Sequence, residues 1–174
     1  MFFIFIYLQK TNKMEEFNLK LRLSPSDKEF RQLIGTEKYS ILKEKILKRD
    51  ANQCVGCGLN AGNSDTLTIH VVSINETIPE DSDCVSLCIA CHSTQHFDSC
   101  VKNDWVELVN STLSQEQLIE SCRIGSLANF ASKDNIRRLK ITPEQFLEKI
   151  KNDTIPISSK VKVVFTNKFD WGLI

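Results

Sequence analysis

The stretch Ser86–Phe97, SLCIACHSTQHF, spaces Cys88 and Cys91 as C-x-x-C and follows them with His92 and His96, four residues apart. The same cysteine spacing occurs upstream, at Cys54 and Cys57 in CVGCG. Zinc favours four thiolate or imidazole ligands in a tetrahedron, and a C-x-x-C turn lets two sulfurs reach one ion from a single tight loop. Gly58, directly after Cys57, suits the backbone turn of such a knuckle. Between the pairs lie 30 residues, room for a hairpin and a loop. The spacing therefore predicts one structural zinc per chain, held by Cys54, Cys57, Cys88 and Cys91, with no coordination position left open. A redox C-x-x-C is the competing reading, and two matched pairs speak against it. Cys84, Cys100 and Cys122 have no such partner and are expected as small core residues.

Around the cysteines the pattern alternates between strand and helix. FNLKLRLS places Phe17, Leu19, Leu21 and Leu23 on one face and reads as a strand. From Ser26 to Asp50 the period becomes helical, with Ile41, Leu42, Ile46 and Leu47 as the apolar side and Gly35 as a break. Leu67, Ile69 and Val71 alternate with Thr68, His70 and Val72, which puts His70 opposite an apolar strand face. NETIPEDSD is expected as a loop, CVSL as a second strand and CIACHSTQHF as the opening of a helix. Further on, DWVELVN reads as a buried strand or a short connector. Ser114 with Gln117 forms a capping-box pattern, starting a helix with Leu118, Ile119 and Cys122 inward. Thr142, Pro143 and Gln145 announce another helix, with Phe146, Leu147 and Ile150 as its stripe. KVKVVFT is expected as a late strand or an extended arm.

Composition bounds the function. The chain has 174 residues with 22 basic and 22 acidic side chains, for a formal net charge of zero. A protein whose main task is to hold DNA usually carries a basic excess; NIRRLK is the one basic run near a predicted helix, and such runs are more often solvated faces. Seven cysteines, an odd number, argue for metal-bound thiolates in a reducing compartment rather than a disulfide framework. The opening MFFIFIY is apolar, but a membrane span needs about 20 such residues. Residues 1–13 are read as a frayed or mis-called tail ahead of Met14, with a short hydrophobic docking segment as the alternative.

ILKRDANQCVGCG, then TIHVV, then DCVSLCIACH together resemble the HNH nuclease motif, a ββα-metal finger braced by a four-cysteine zinc, over residues 46–97. The resemblance implies an α+β fold with a zinc-stapled, treble-clef-like ββα core. Residues 14–104 would form that domain, with an N-terminal strand and helix, and 105–174 a mainly helical extension packed on it. It also implies roles: His70 falls at the general base and His92 at the helix metal ligand. The acidic metal ligand of the family is replaced by Ile69, and its asparagine by Asp83. Ile69→Asp is on this reading expected to restore metal affinity. Because His92 and His96 stand at i and i+4, one helix face could present both imidazoles, and with His70 they would make a three-histidine site. Their plainer reading is as polar helix residues.

LKLRLSP, QHF and ELVNSTLSQEQLIESC are also similar to the IcmJ/DotN family, HNH-like zinc proteins without nuclease chemistry in the coupling complex of Dot/Icm type IVB secretion systems. That resemblance implies a non-catalytic zinc scaffold with protein partners, cytoplasmic or held at the inner membrane through a complex. The competing class is an active HNH endonuclease that cleaves DNA with magnesium, manganese or nickel.

Overall fold

A computed structural model describes residues 19, 22, 32–62, 66–72, 79–124, 136–152 and 160–169. Five helices and two small antiparallel sheets make up this part of the chain. Residues 32–33 are helical, Gly35 turns the chain with φ +85°, and Thr36 caps the next helix by accepting from the Tyr39 N–H at 3.3 Å. That helix, α1, spans Glu37–Arg49. Its inner side is Ile46 and Leu47, with Leu42 half-buried; Ile41, expected inward, is exposed. The run 41, 42, 46, 47 is wider than the stripe that one packing neighbour covers, so its edge residue faces out.

The first sheet is a hairpin of β1, Leu67–Val71, and β2, Cys84–Cys88, with His70 opposite Val85 and Leu67 opposite Cys88. A single 3-10 turn, Asp81–Asp83, leads into β2. Leu67, Ile69 and Val71 share the apolar face, and Ile69 and Val71 close on Ile46 and Cys84. The helix after β2 does not run through as one piece. It divides into α2, Ile89–Thr94, and α3, Phe97–Lys102, with His96 at φ −131° between them. The cause is Arg22. Its N–H donates to Thr94 O at 3.0 Å and its carbonyl accepts from Phe97 N–H at 2.9 Å, taking two groups that a continuous helix would use internally. Leu19 and Arg22 lie outside any strand, and the rest of the expected N-terminal strand, like residues 1–13, lies outside the described residues.

Two helices and three strands make up the described residues after 104. The strands form an antiparallel sheet in the order β4-β3-β5: β3 is Val106–Ser111, β4 is Ile136–Arg138 and β5 is Val161–Phe165. NIRRLK supplies β4 and exposes Arg137 and Arg138, the latter paired with Glu107 at 2.9 Å. Two helices flank the sheet: α4, Gln115–Arg123, and α5, Pro143–Lys151, each opened by the expected capping box. The main core crosses the boundary after residue 104. Phe97, Cys100 and Val101 of α3 join Val106, Leu108, Phe146, Val163 and Phe165.

Among the described residues strand β5 is an edge of the sheet, and its middle is closed by a side chain. The buried Gln115 amide donates to Val163 O at 2.9 Å and accepts from Val163 N–H at 3.0 Å, as a neighbouring strand would. Gln115→Leu should leave both groups buried and unpaired, at about 1–3 kcal/mol each. Urea unfolding of the variant should show a loss of about 2 kcal/mol or more. A loss within about 0.5 kcal/mol would mean that the edge finds other partners.

Candidate metal centre

Two side-chain clusters flank the start of α2. In the first, one ligand atom from each of Cys54, Cys57, Cys88 and Cys91 lies within 4.8 Å of the others. The upstream knuckle turns as the sequence requires. Cys54 O accepts from Gly58 N–H at 2.8 Å, Cys54 N–H reaches Leu59 O at 2.9 Å, and Gly58 takes φ +73°. Gly56 has a different reason to be glycine, since a Cβ there would sit 3.1 Å from Cys91 Sγ. The two knuckles meet with Cys57 Sγ and Cys88 Sγ 3.8 Å apart. Sulfurs held about 2.3 Å from a tetrahedral zinc stand about 3.8 Å from one another. The four sulfurs are therefore placed to hold one zinc ion.

Their electrostatics fit that cargo. Hydrogen bonding from the other thiols, Cys57 foremost, draws Cys54 below the ordinary thiol range, while the same network, Cys54 foremost, pushes Cys88 and Cys91 above it. Four sulfurs this close do not all shed their protons unless a cation balances them. Cys84 and Cys100 are buried, Cys122 is half-buried, and all seven cysteines are free thiols. Burial lifts Cys100 to about 12, and its Sγ donates to Ser93 O at 3.2 Å.

A half-buried ion pair within LKRD, with Asp50 buried and Arg49 partly exposed, positions the knuckle. Asp50 accepts from Arg49 Nε at 2.7 Å and from Ser86 N–H at 2.9 Å. Arg49 continues to the carbonyls of Asp81, at 2.5 Å, and Cys84, at 2.8 Å. The end of α1, the entry to β2 and its central residue are thus tied together just ahead of Cys54. An adjacent Arg-Asp pair before a cysteine knuckle is the signal that would have pointed to it.

The second cluster is formed by His70, His92 and His96, one nitrogen of each lying within 4.8 Å of the others. His70 projects from β1 on the side opposite Ile69. His92 opens the second half of α2, and His96 comes from the break before α3 rather than from the same helix face. His92 Nε2 and His96 Nε2 are 3.2 Å apart. Imidazole nitrogens about 2.0–2.1 Å from a tetrahedral metal stand about 3.3–3.4 Å apart, so the spacing fits a shared ion. The His70 ring centroid lies 5.4 Å from that of His92 and 5.3 Å from that of His96. Burial first, then the other imidazoles and Arg22, lowers His70 to about 3; burial and His96 lower His92 to about 4. Both rings are neutral at neutral pH and have a lone pair to give. Because the unfolded rings take protons near 6.5, this contribution to stability is intact above that pH and is lost as the pH falls through about 4 to 3.

Neither Ile69 nor Asp83 belongs to the histidine group. Ile69 is 1% exposed among Ile46, Val71 and Cys84. Asp83 holds the 3-10 turn, its carboxylate accepting from Glu80 N–H at 3.0 Å and its carbonyl from Val72 N–H at 2.7 Å. Ile69→Asp is thus corrected from a rescue to a lesion. It should lower stability by about 3 kcal/mol or more through an uncompensated buried carboxylate, read by urea unfolding, with no gain in metal affinity.

No family model matches the chain, and comparison with curated proteins finds no match. Among the described residues, no helix is long and apolar enough to cross a membrane.

Elemental analysis of protein purified without chelators should find about one zinc per chain, because a tetrathiolate site contributes an apparent 10–16 kcal/mol or so. Cys91→Ser should lose that zinc and unfold in part, whereas Cys122→Ser should keep it and lose only about 1 kcal/mol. Equal damage from the two would erase the distinction between ligand and core cysteines.

Proposed function

We propose that the chain is a non-catalytic zinc scaffold of HNH-like, treble-clef build that works inside a multi-subunit protein complex. The zinc at Cys54, Cys57, Cys88 and Cys91 is structural, stapling the β1–β2 hairpin and α2 to the end of α1. The likeness of LKLRLSP, QHF and ELVNSTLSQEQLIESC to the IcmJ/DotN family suggests a cytoplasmic component of a type IVB secretion coupling complex, and seven free thiols suit that compartment. A scaffold of this kind would offer its partner an apolar surface, for which the region after residue 105 is the candidate. Most of its apolar residues, Val106, Leu108, Val109, Leu118 and Ile119 among them, are core; Ile124, 58% exposed, is the large apolar side chain it shows among the described residues.

The observation that carries the non-catalytic reading is the convergence of all three histidines of the chain. A dication held by His70, His92 and His96 takes every imidazole the protein owns. Hydrolysis in the way the HNH resemblance implies, with a metal and a separate histidine base, needs one imidazole outside the ligand set. Among the described residues no carboxylate joins the histidine group as a substitute. All-nitrogen donors also favour zinc, cobalt or nickel over magnesium or manganese.

A second reading has its own support. Three protein ligands with a fourth position open is the pattern of catalytic zinc centres. If His70 stays off the metal, it stands where the resemblance puts the general base of a DNA endonuclease.

Nickel binding and plasmid nicking separate the two. The zinc-loaded protein should bind about one further nickel, weakened at least about tenfold by His96→Ala. It should not nick plasmid above background with nickel, zinc, magnesium or manganese. Cleavage by wild type that vanishes in His70→Ala would overturn the scaffold reading.

A further inference from the structure

The two clusters share their framework. Cys88 is the last residue of β2 and the N-cap of α2, Cys91 lies in the first turn of α2, and His92 is the next residue. His96 follows two residues after the end of α2, as the N-cap of α3. His70 sits on β1, whose register is set by pairing with β2, the strand that ends at Cys88. α2 has six residues, and a helix of that length has no stability of its own in water. It is held among β1, β2, α3 and α4, and Cys91 seats it on the Cys54–Cys57 knuckle. That seat has no slack: a Cβ on Gly56 would lie 3.1 Å from Cys91 Sγ, 3.2 Å from Cys91 Cβ and 3.3 Å from Leu87 Cδ2. A force that pulls Cys88 and Cys91 onto the knuckle therefore sets the direction of the His92 ring, and a force on His92 reaches Cys91 through a single peptide.

We propose that the two sites are energetically coupled. Zinc in the cysteine site builds the three-histidine site, and a late first-row dication at His70, His92 and His96 in return tightens the hold of the cysteines on zinc. The inference rests on the reading of the histidines as a metal site. Linkage requires the effect to be reciprocal, which makes it measurable on the folded, zinc-loaded chain without stripping the zinc that folding needs. Loading is then ordered: the histidine site gains its metal after the cysteine site and reports that it is full.

The experiment uses full-length protein carrying one zinc and nickel as the probe. Nickel uptake and zinc retention are followed by elemental analysis after dialysis. Alkylation of the four cysteines by iodoacetamide is followed by mass spectrometry, with Cys57, the half-buried ligand, as the most accessible sulfur. Nickel should slow alkylation about tenfold, within the usual range of coupling between sites. In His96→Ala it should leave the rate unchanged. A wild-type rate that nickel does not alter, in protein that has bound it beside the zinc, overturns the coupling while the histidine site stands. Failure to bind nickel, or nickel taken up in place of zinc, overturns both.

Discussion

Four cysteine sulfurs drawn within 4.8 Å of one another are the constraint on which the central part of this protein depends. Bare thiols have no reason to gather so closely, and thiolates repel. A dication turns that repulsion into a bond network of about 10–16 kcal/mol, comparable with the whole stability of a domain at about 5–15 kcal/mol. The local structure is shaped to let the sulfurs meet. Gly58 supplies the positive φ of the knuckle, Gly56 gives up a side chain to make room for Cys91, and the half-buried Arg49–Asp50 pair clamps the knuckle to β2. Breaking the pair strands the charge of the buried Asp50, so the clamp fixes the geometry as firmly as the core around it.

The histidine cluster depends on this arrangement and on one further strap. Arg22, far away in sequence, interrupts the helix after β2 and turns His96 back toward His92. Burial keeps His70 and His92 neutral, which suits ligands and, equally, a base. With three histidines in the whole chain, those two uses exclude each other. The chemistry therefore turns on a count of imidazoles rather than on the shape of a pocket.

Among the described residues beyond 104, no group of metal-ligating side chains converges. α3 and α5 cover one face of the three-stranded sheet through Phe97 and Phe146, whose rings meet edge to face with centroids 6.0 Å apart. Leu118 of α4 joins Val109 and Val164 in a smaller cluster, and Gln115 closes the β5 edge. The same core holds the cysteine knuckle and this sheet, so a change in either half is felt across residue 104.

By itself the sequence determined what depends on neighbours along the chain. The knuckle, the break at Gly35, the capping boxes at Ser114 and Thr142, the alternation of β1 and the inward Leu118, Ile119 and Phe146 are all set by spacings of two to four residues. The division of core and ligand cysteines was legible for the same reason, since C-x-x-C is a local geometry. Tertiary structure decided what joins distant segments. VELVNS and VKVVF each looked like a strand, but their pairing closes a gap of about fifty residues that no local pattern encodes. His92 and His96 looked like one helix face until the Arg22 backbone took the bonds that would have continued the helix. Ile69 stood at the acidic position of the resemblance although the alternation of β1 already set it opposite His70, and the packing of β1 on α1 seals it in the core.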